Sequence, residues 1–143
     1  MKSAYALLRK GKIYVRSYSQ TTTGLWIGWG QVYVVDENNS LELAERVRDA
    51  LNNSSHGVKH PSQTEWKAVQ APMLEAAGVK SWKTLAKGAK AIGLESDGSI
   101  VKIEPSSDYE NSGGTGMPAQ AIECEIGSSE LGEALMRAFQ VCS

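Results

Sequence analysis

Cysteine and histidine are both scarce in this chain of 143 residues, which contains two of each. The cysteines, Cys124 and Cys142, occur without a CxxC motif, which argues against a structural zinc site. A disulfide-rich secreted domain would need more cysteines and an export signal. We therefore expect both thiols to be reduced and Cys124 to lie in the core.

Long apolar runs are also absent from the sequence. No stretch approaches the roughly 20 apolar residues of a membrane-spanning helix. Residues 4–8 are apolar, but Arg9 and Lys10 follow at once, so the stretch is too short for the core of a signal peptide. We expect a cytoplasmic protein with no membrane attachment, and the length fits one domain over residues 1–143.

The chain as a whole has no excess of one charge, because its formal net charge is −1. The charges are nevertheless separated along the sequence. Residues 1–90 hold thirteen basic and seven acidic residues, whereas residues 91–143 hold two basic and nine acidic residues. This asymmetry favours a charged partner, although a match between the two parts of the chain would also explain it.

A β-hairpin is predicted at the start of the chain. Residues 5–9 and 12–17 flank Lys10-Gly11, which can form a two-residue turn. Such a turn places Leu8 opposite Ile13 on one apolar face of the hairpin.

The next segment predicts a loop and a second pair of strands. Residues 18–23 are polar and predict the loop. Residues 25–27 and 32–35 predict the strands, joined through Gly28-Trp29-Gly30, where glycine permits a tight turn or a bulge.

A second hairpin is predicted around Asp97-Gly98, the strongest short turn signal in the chain. A two-residue loop there places Leu94 opposite Val101. Residues 120–126 alternate apolar and acidic side chains, which is typical of a strand with one solvated face.

Helix signals occur at four places. Serine or another small polar residue often precedes a helix and caps it, and glycine often ends one. The predicted helical segments are residues 41–52 after Ser40, residues 72–77 before Gly78, the segment after Ser81, and the segment after Ser128 or Ser129. Strands and helices do not alternate regularly, so we expect an α+β fold with a mostly antiparallel sheet of about five to seven strands on two or three helices.

Catalytic and cofactor motifs are weak in this sequence. The glycine-rich segment at residues 113–116 lacks the Lys and Ser/Thr that follow a phosphate-binding loop. His56 and His60 are four apart, but Gly57 and Pro61 disfavour a helix that would place them on one face. We therefore expect no catalytic residue, no metal site and no cofactor.

Two surface features suggest contacts with other molecules. Lys80, Lys83, Lys87 and Lys90 recur at helical spacing and predict a basic stripe on the helix after Ser81, which nucleic-acid contact or simple solvation would explain. Among the tryptophans, Trp29 between two glycines is the better surface candidate, and Trp26 in a predicted strand fits core packing at least as well as an interface role.

The acidic residues after position 90 are the preferred candidates for contact with a basic protein. Glu123 and Glu125 alternate with apolar residues and should point outward together. Asp108, Tyr109 and Glu110 lie in a long predicted loop, where binding residues are common.

Three segments resemble a family of bacterial contact-dependent growth inhibition (CDI) immunity proteins. They are the run TTTGLWIG at residues 21–28, the residues around SSHGV at 54–58 up to Pro61, and the run GVKSWKTLAK at residues 78–87. The resemblance extends over roughly residues 5–104.

This resemblance implies a small cytoplasmic antidote without enzymatic activity. Such proteins bind and block the C-terminal toxin domain of a large cell-surface effector, and these toxins are often nucleases that act on tRNA. The expected partner is therefore the cognate toxin domain, bound by a monomer as a heterodimer. Trp29, His56 and His60 are possible further contacts, and direct binding of nucleic acid is not expected.

Two other functions compete with this one. An enzyme could use His56 or His60 with a carboxylate, and would show both groups in one cavity. A small RNA-binding module could use the lysine stripe and the exposed tryptophans, and its binding would weaken steeply with salt.

Overall fold

The computed structural model describes residues 1–111 and 113–143. The chain begins with three long strands, and helices separate the later strands into groups. The strands are β1 (Lys2–Arg9), β2 (Lys12–Thr21), β3 (Trp26–Asp36), β4 (His56–Val58), β5 (Lys90–Ser96), β6 (Ile100–Ser107), β7 (Thr115–Gly116) and β8 (Ile122–Glu125). The helices are α1 (Ser40–Asn52), α2 (Trp66–Ala77), α3 (Trp82–Ala86) and α4 (Leu131–Val141), with a 3₁₀ turn at Pro118–Gln120.

Over the described residues, one eight-stranded sheet organises the fold, with the strand order β3-β2-β1-β5-β6-β7. The short strand β4 pairs in parallel with β2, and β8 pairs with β6. All other pairs are antiparallel, which confirms the predicted α+β class with a mostly antiparallel sheet.

The first hairpin forms as predicted, with Leu8 opposite Ile13. The predicted loop at residues 18–23 is wrong, because β2 continues to Thr21. Ser19 and Thr21 of this extension are buried, and their hydroxyls find partners inside the protein. Ser19 Oγ accepts the amide of Ser55 at 2.9 Å, and Thr21 Oγ1 accepts the amide of Leu25 at 3.1 Å.

The predicted second strand pair is instead one long strand, β3, at the edge of the sheet. A turn at Gly28-Trp29-Gly30 is therefore wrong, and the alternative of a bulge is correct. The register shifts where Arg16 pairs with Val32 and Ser17 pairs with Trp29. Gly30 has a φ of +73° at this bulge, a conformation that glycine adopts without strain.

The second hairpin has the predicted strands but a register shifted by two residues. Leu94 pairs with Ile103 rather than with Val101. The Asp97 carboxylate accepts the amides of Ser99 at 2.8 Å and Ile100 at 2.9 Å, and these bonds form a longer loop. A shift of two preserves the buried face of each strand.

Helices α1 and α4 cover one face of the sheet and form the main core. The apolar side chains of α1 that recur at helical spacing are buried, as are those of α4. The capping residues differ from the predictions, because Asn39 caps α1 and Glu130 precedes α4. Both cysteines are free, but Cys142 is the buried one and Cys124 is only partly buried.

Helices α2 and α3 lie on the opposite face, where they cover only part of the sheet. The helix predicted at residues 72–77 is the second half of α2, which ends as predicted at Gly78. Ser81 caps α3 as predicted, but α3 has only five residues. The basic stripe is therefore wrong, because Lys80, Lys87 and Lys90 lie outside this helix. Within the described residues, no helix is long and apolar enough to cross a membrane.

Candidate partner-binding face

The sheet face opposite α1 and α4, here called the open face, carries the residues most suited to binding. Because paired residues of neighbouring strands share a face, the ladder places Arg16, Tyr5, Gly93 and Glu104 in one row across β2, β1, β5 and β6. The next row contains Tyr18, Ser3, Glu95, Lys102 and Glu123.

An aromatic groove of about 330 Å³ lies on the open face beneath α2 and α3. Its floor is the row from Arg16 to Glu104, and Gly93 keeps the floor open because it has no side chain. The aromatic residues that line it are Tyr5, Tyr18, Trp26, Trp66, Trp82 and Tyr109. Tyrosine and tryptophan supply large contact areas with polar tips, so this lining is typical of a binding surface.

The tyrosines of the groove are held in their neutral form. Burial raises the pKa of Tyr5, and the neighbouring Tyr18 adds to this increase, while the charge of Arg16 opposes it. Burial also raises the pKa of Tyr18. Burial raises the pKa of Tyr109 to about 12. The rings of Tyr5 and Tyr18 stack with their centroids 4.6 Å apart. The groove therefore presents phenol groups that can donate hydrogen bonds at neutral pH.

Arg16 is the buried cation of the groove and is only 4% exposed. Its Nε donates to the carbonyl oxygen of Gly30 at 3.0 Å, and its Nη1 donates to the carbonyl oxygen of Val69 in α2. A side chain at Gly28 would place its Cβ 2.9 Å from Nη1, so the guanidinium would have to shift if this residue were not glycine. Arg16 thereby connects the bulge of β3 to α2.

A second cavity of about 600 Å³ lies on the other side of Arg16, between β3 and α2. It is mostly apolar and is lined by residues that include Pro61, Ala68 and Pro72. Trp29 lines it and is 39% exposed, which confirms the prediction of a surface tryptophan. Trp26 is 37% exposed, so the prediction of core packing for Trp26 is wrong.

Acidic side chains continue the open face beyond the groove. Glu95 and Glu123 are exposed and share a small depression with Lys102. Glu104 is half-buried at the end of the groove. The exposed positions of Glu123 and Glu125 agree with the predicted alternation of β8. Glu123 therefore lies in the row next to the floor of the groove that Tyr109 lines.

The turn at residues 108–111 forms the border of the groove near α3. Asp108 is exposed, and its carboxylate accepts a bond from the side-chain amide of Asn111 at 2.6 Å. The carboxylate of Glu110 accepts the amide of Gly88 at 2.9 Å, just beyond α3. Glu110 therefore has a structural contact that its sequence position does not reveal.

The two histidines do not line either cavity, but each packs edge-on against a tryptophan of the groove. The ring centroids of His56 and Trp26 are 5.4 Å apart, and those of His60 and Trp66 are 6.2 Å apart. His56 contacts Gln20 Oε1 at 3.1 Å and the carbonyl oxygen of Met1 at 2.8 Å, whereas His60 contacts Thr23 Oγ1 at 2.8 Å. Neither lines the groove or the second cavity, where an enzyme would hold a histidine and a carboxylate together. Over residues 1–111 and 113–143 there is no group of three side chains suited to hold a metal ion.

Sequence reasoning missed Arg16, Trp66 and Glu104 as groove residues. Each looks ordinary in the sequence, because Arg16 lies in a polar stretch of a predicted strand and Glu104 ends another. The one local signal is Gly28, whose missing side chain makes room for Arg16. The grouping itself depends on the pairing of β1 with β5, which no local pattern indicates.

The family model for the CDI immunity protein CdiI matches residues 2–142 of the chain. A protein of unknown function from Neisseria meningitidis has a similar structure, with a TM-score of 0.80, 16% identity and coverage of 99% of this chain and 95% of that chain. A chain of the CdiA-CT/CdiI toxin and immunity complex from Yersinia pseudotuberculosis gives a TM-score of 0.78, 20% identity and coverage of 99% and 97%. No curated protein matches significantly. At these identities the two structures show a shared fold.

Proposed function

The chain belongs to the family of CDI immunity proteins, and from this membership we propose that it neutralises the C-terminal toxin domain of a cognate effector by binding it. The observation that carries the proposal is the match of the family model across residues 2–142. The similar fold of a chain in a toxin and immunity complex supports it.

The toxin in this proposal is a nuclease, with tRNA or another RNA as its substrate. A nuclease needs a basic groove, because its substrate is a polyanion. An inhibitor that presents carboxylates to such a groove associates faster and more specifically. Glu95, Glu123 and Glu125 offer such carboxylates on one exposed part of the open face.

Inhibition in this account is steric and electrostatic. The immunity protein covers the active site of the toxin, so that the nucleic acid cannot enter. Glu123, Glu125, Asp108 and Tyr109 are the proposed contacts, with Glu110 at the border of the same surface. Trp29 is a further candidate, because it is exposed beside an apolar cavity. His56 and His60 are weaker candidates, because neither ring lines the groove.

No catalysis is part of this function. The protein works in the cytoplasm as a single domain, binds the toxin as a monomer and forms a one-to-one heterodimer. It needs no cofactor. Its ability to protect a cell should therefore depend only on the affinity for the toxin and on the amount of each protein.

The direct test is co-purification with the protein encoded immediately upstream. The C-terminal domain of that protein is produced with the tagged chain, and cell survival and recovery of the complex are measured. We expect survival and a stable one-to-one complex. Growth arrest without any complex, under conditions where the chain is folded, would refute the proposal. A noncognate CDI toxin domain is the matched control and should neither bind nor be neutralised.

A further inference from the structure

The charge of Arg16 is buried without a carboxylate to balance it. Within residues 1–111 and 113–143, the ion pairs join other residues, and none includes Arg16. Its two hydrogen-bond acceptors, the carbonyl oxygens of Gly30 and Val69, carry no net charge. A guanidinium has five N–H donors, so these two bonds leave donors for another acceptor. A buried cation is costly unless it is paired.

The place of Arg16 makes its guanidinium reachable from the aromatic groove. Arg16 lines the groove and also the second cavity, so it stands between the two spaces. On the groove side its neighbour in the row is Tyr5, which also lines the groove. Gly93 follows Tyr5, and no atom lies within 4 Å of the position that a Cβ would take there. A side chain entering over Gly93 and Tyr5 would therefore meet Arg16.

We propose that Arg16 binds a carboxylate of the toxin domain, carried by an aspartate or glutamate side chain that enters the aromatic groove. This inference rests on the proposed function, because it assigns a specificity contact to the same interface. Arg16 thus contributes a positive charge to the interface, whereas Glu123 and Glu125 contribute negative charges. The acidic residues attract the basic surface of the toxin, and Arg16 selects one acidic side chain within it.

A carboxylate fits this site better than a phosphate of a nucleic acid. The guanidinium fork matches the two oxygens of a carboxylate, and the pairing is strong where water is excluded. Glu104 lines the same groove and Glu95 lies in the next row, so a polyanion would meet repulsion on approach. The aromatic lining suits an anchor from a protein partner, because Tyr and Trp are enriched where such anchors bind.

The test is a double-mutant cycle with the intact chain and the toxin domain. Each Asp and Glu on the surface of the toxin is changed to Asn or Gln, and each variant is measured against the wild-type protein and Arg16→Lys. We expect Arg16→Lys to weaken binding at least tenfold. We also expect one toxin carboxylate whose removal weakens the affinity for the wild-type protein at least tenfold. The same removal should weaken the affinity for Arg16→Lys less than twofold.

Arg48→Lys is the matched control. Arg48 on α1 also donates to two backbone carbonyls, those of Ile126 at 2.6 Å and Ser128 at 2.9 Å, but it lies on the covered side of the sheet. The Arg48→Lys variant should bind the toxin with the same affinity as the wild type. Binding by the wild type without any coupled carboxylate would overturn the inference and leave the proposed function intact. A wild-type chain that does not bind the toxin would overturn both.

A second measurement keeps the inference testable if Arg16→Lys does not fold. The side-chain Nε–H signal of Arg16 is followed by NMR in the wild-type chain, during titration with the toxin domain and, separately, with sodium acetate against sodium chloride. We expect the toxin to shift this signal and to displace acetate. A signal unchanged by the toxin would contradict the inference. Acetate that stays bound to Arg16 in the complex would also contradict it, because Arg16 would then hold a small molecule and not a side chain of the toxin.

Discussion

The backbone amide of Asp108 donates to the carbonyl oxygen of Ser143 at 2.7 Å. Asp108 has a φ of +57°, in the left-handed region that is unfavourable for most side chains. The amide of Ser143 in turn donates to the carbonyl oxygen of Ser106 at 3.3 Å. The proposed contact residues of the 108–111 turn are therefore held by the segment that follows α4.

The strained backbone of Asp108 gives the first prediction. Asp108→Val should be less stable than Asp108→Gly by about 1–2 kcal/mol, because a β-branched residue fits the left-handed region poorly. Both variants lose the bond to Asn111, so their difference isolates the backbone. Urea unfolding measures it. Equal midpoints for the two variants would show that the conformation of this turn is wrong.

The contact between α4 and the start of α1 gives the second prediction. A Cβ at Gly132 would overlap the backbone carbonyl of Ser40. Gly132→Ala should therefore destabilise the protein by about 1–3 kcal/mol, although alanine favours helices more than glycine does. Gly127→Ala is the control, because no atom lies within 4 Å of the Cβ position there. A melting temperature of Gly132→Ala above that of the wild type would contradict this packing.

The neutral tyrosines of the groove give the third prediction. Burial raises the pKa of Tyr109 from 10.0 to about 12, and it also raises that of Tyr5. The unfolded chain therefore loses these protons first as the pH rises, so the folded state loses stability above pH 10. Each pKa unit corresponds to about 1.4 kcal/mol.

The measurement is the free energy of unfolding between pH 9 and pH 12, together with the absorbance of tyrosinate. Tyr109→Phe should lose less stability over this range than the wild type. A wild-type stability that stays level while the tyrosines ionise would show that these phenols are not buried as described.

The histidines give the fourth prediction. His56→Ala combined with His60→Ala should leave toxin binding within about tenfold, or roughly 1.4 kcal/mol, because neither ring lines the groove. Protection of cells and the dissociation constant are the two measurements. Complete loss of protection by a folded double variant would favour the enzymatic alternative or a metal site.

The local parts of the fold could be predicted from the sequence, because short hairpins and amphipathic helices depend on neighbouring residues. The first hairpin and the buried stripe of α1 are examples. The polar end of β2 could not be predicted, since the hydroxyls of Ser19 and Thr21 are buried only because the amides of Ser55 and Leu25 donate to them. The register predicted for the second hairpin was also wrong, because the Asp97 carboxylate stabilises a longer loop.

The candidate site could be predicted only in part. The alternation of apolar and acidic residues along β8 was enough to predict that Glu123 and Glu125 are exposed, because that pattern is local. The row that joins Arg16 to Glu104 passes through β1 and β5, whose partners are separated by more than eighty positions in the chain. No periodicity carries that information. The long-range pairing therefore decides which polar side chains share the groove.

The central claim is that the acidic open face binds a basic toxin. The affinity of a charge-reversed variant for the toxin domain tests this claim most directly. Glu123→Lys combined with Glu125→Lys is compared with Glu45→Lys combined with Glu133→Lys, which makes the same change of net charge on α1 and α4. Glu110 is left unchanged, because it bonds to Gly88.

We predict that the first pair slows association and raises the dissociation constant at least tenfold at about 0.1 M salt, whereas the control pair changes it less than threefold. The difference should shrink as salt rises, because exposed charges are screened. Equal affinities for the two pairs, with both variants folded, would contradict the account and place the toxin on another surface of the protein.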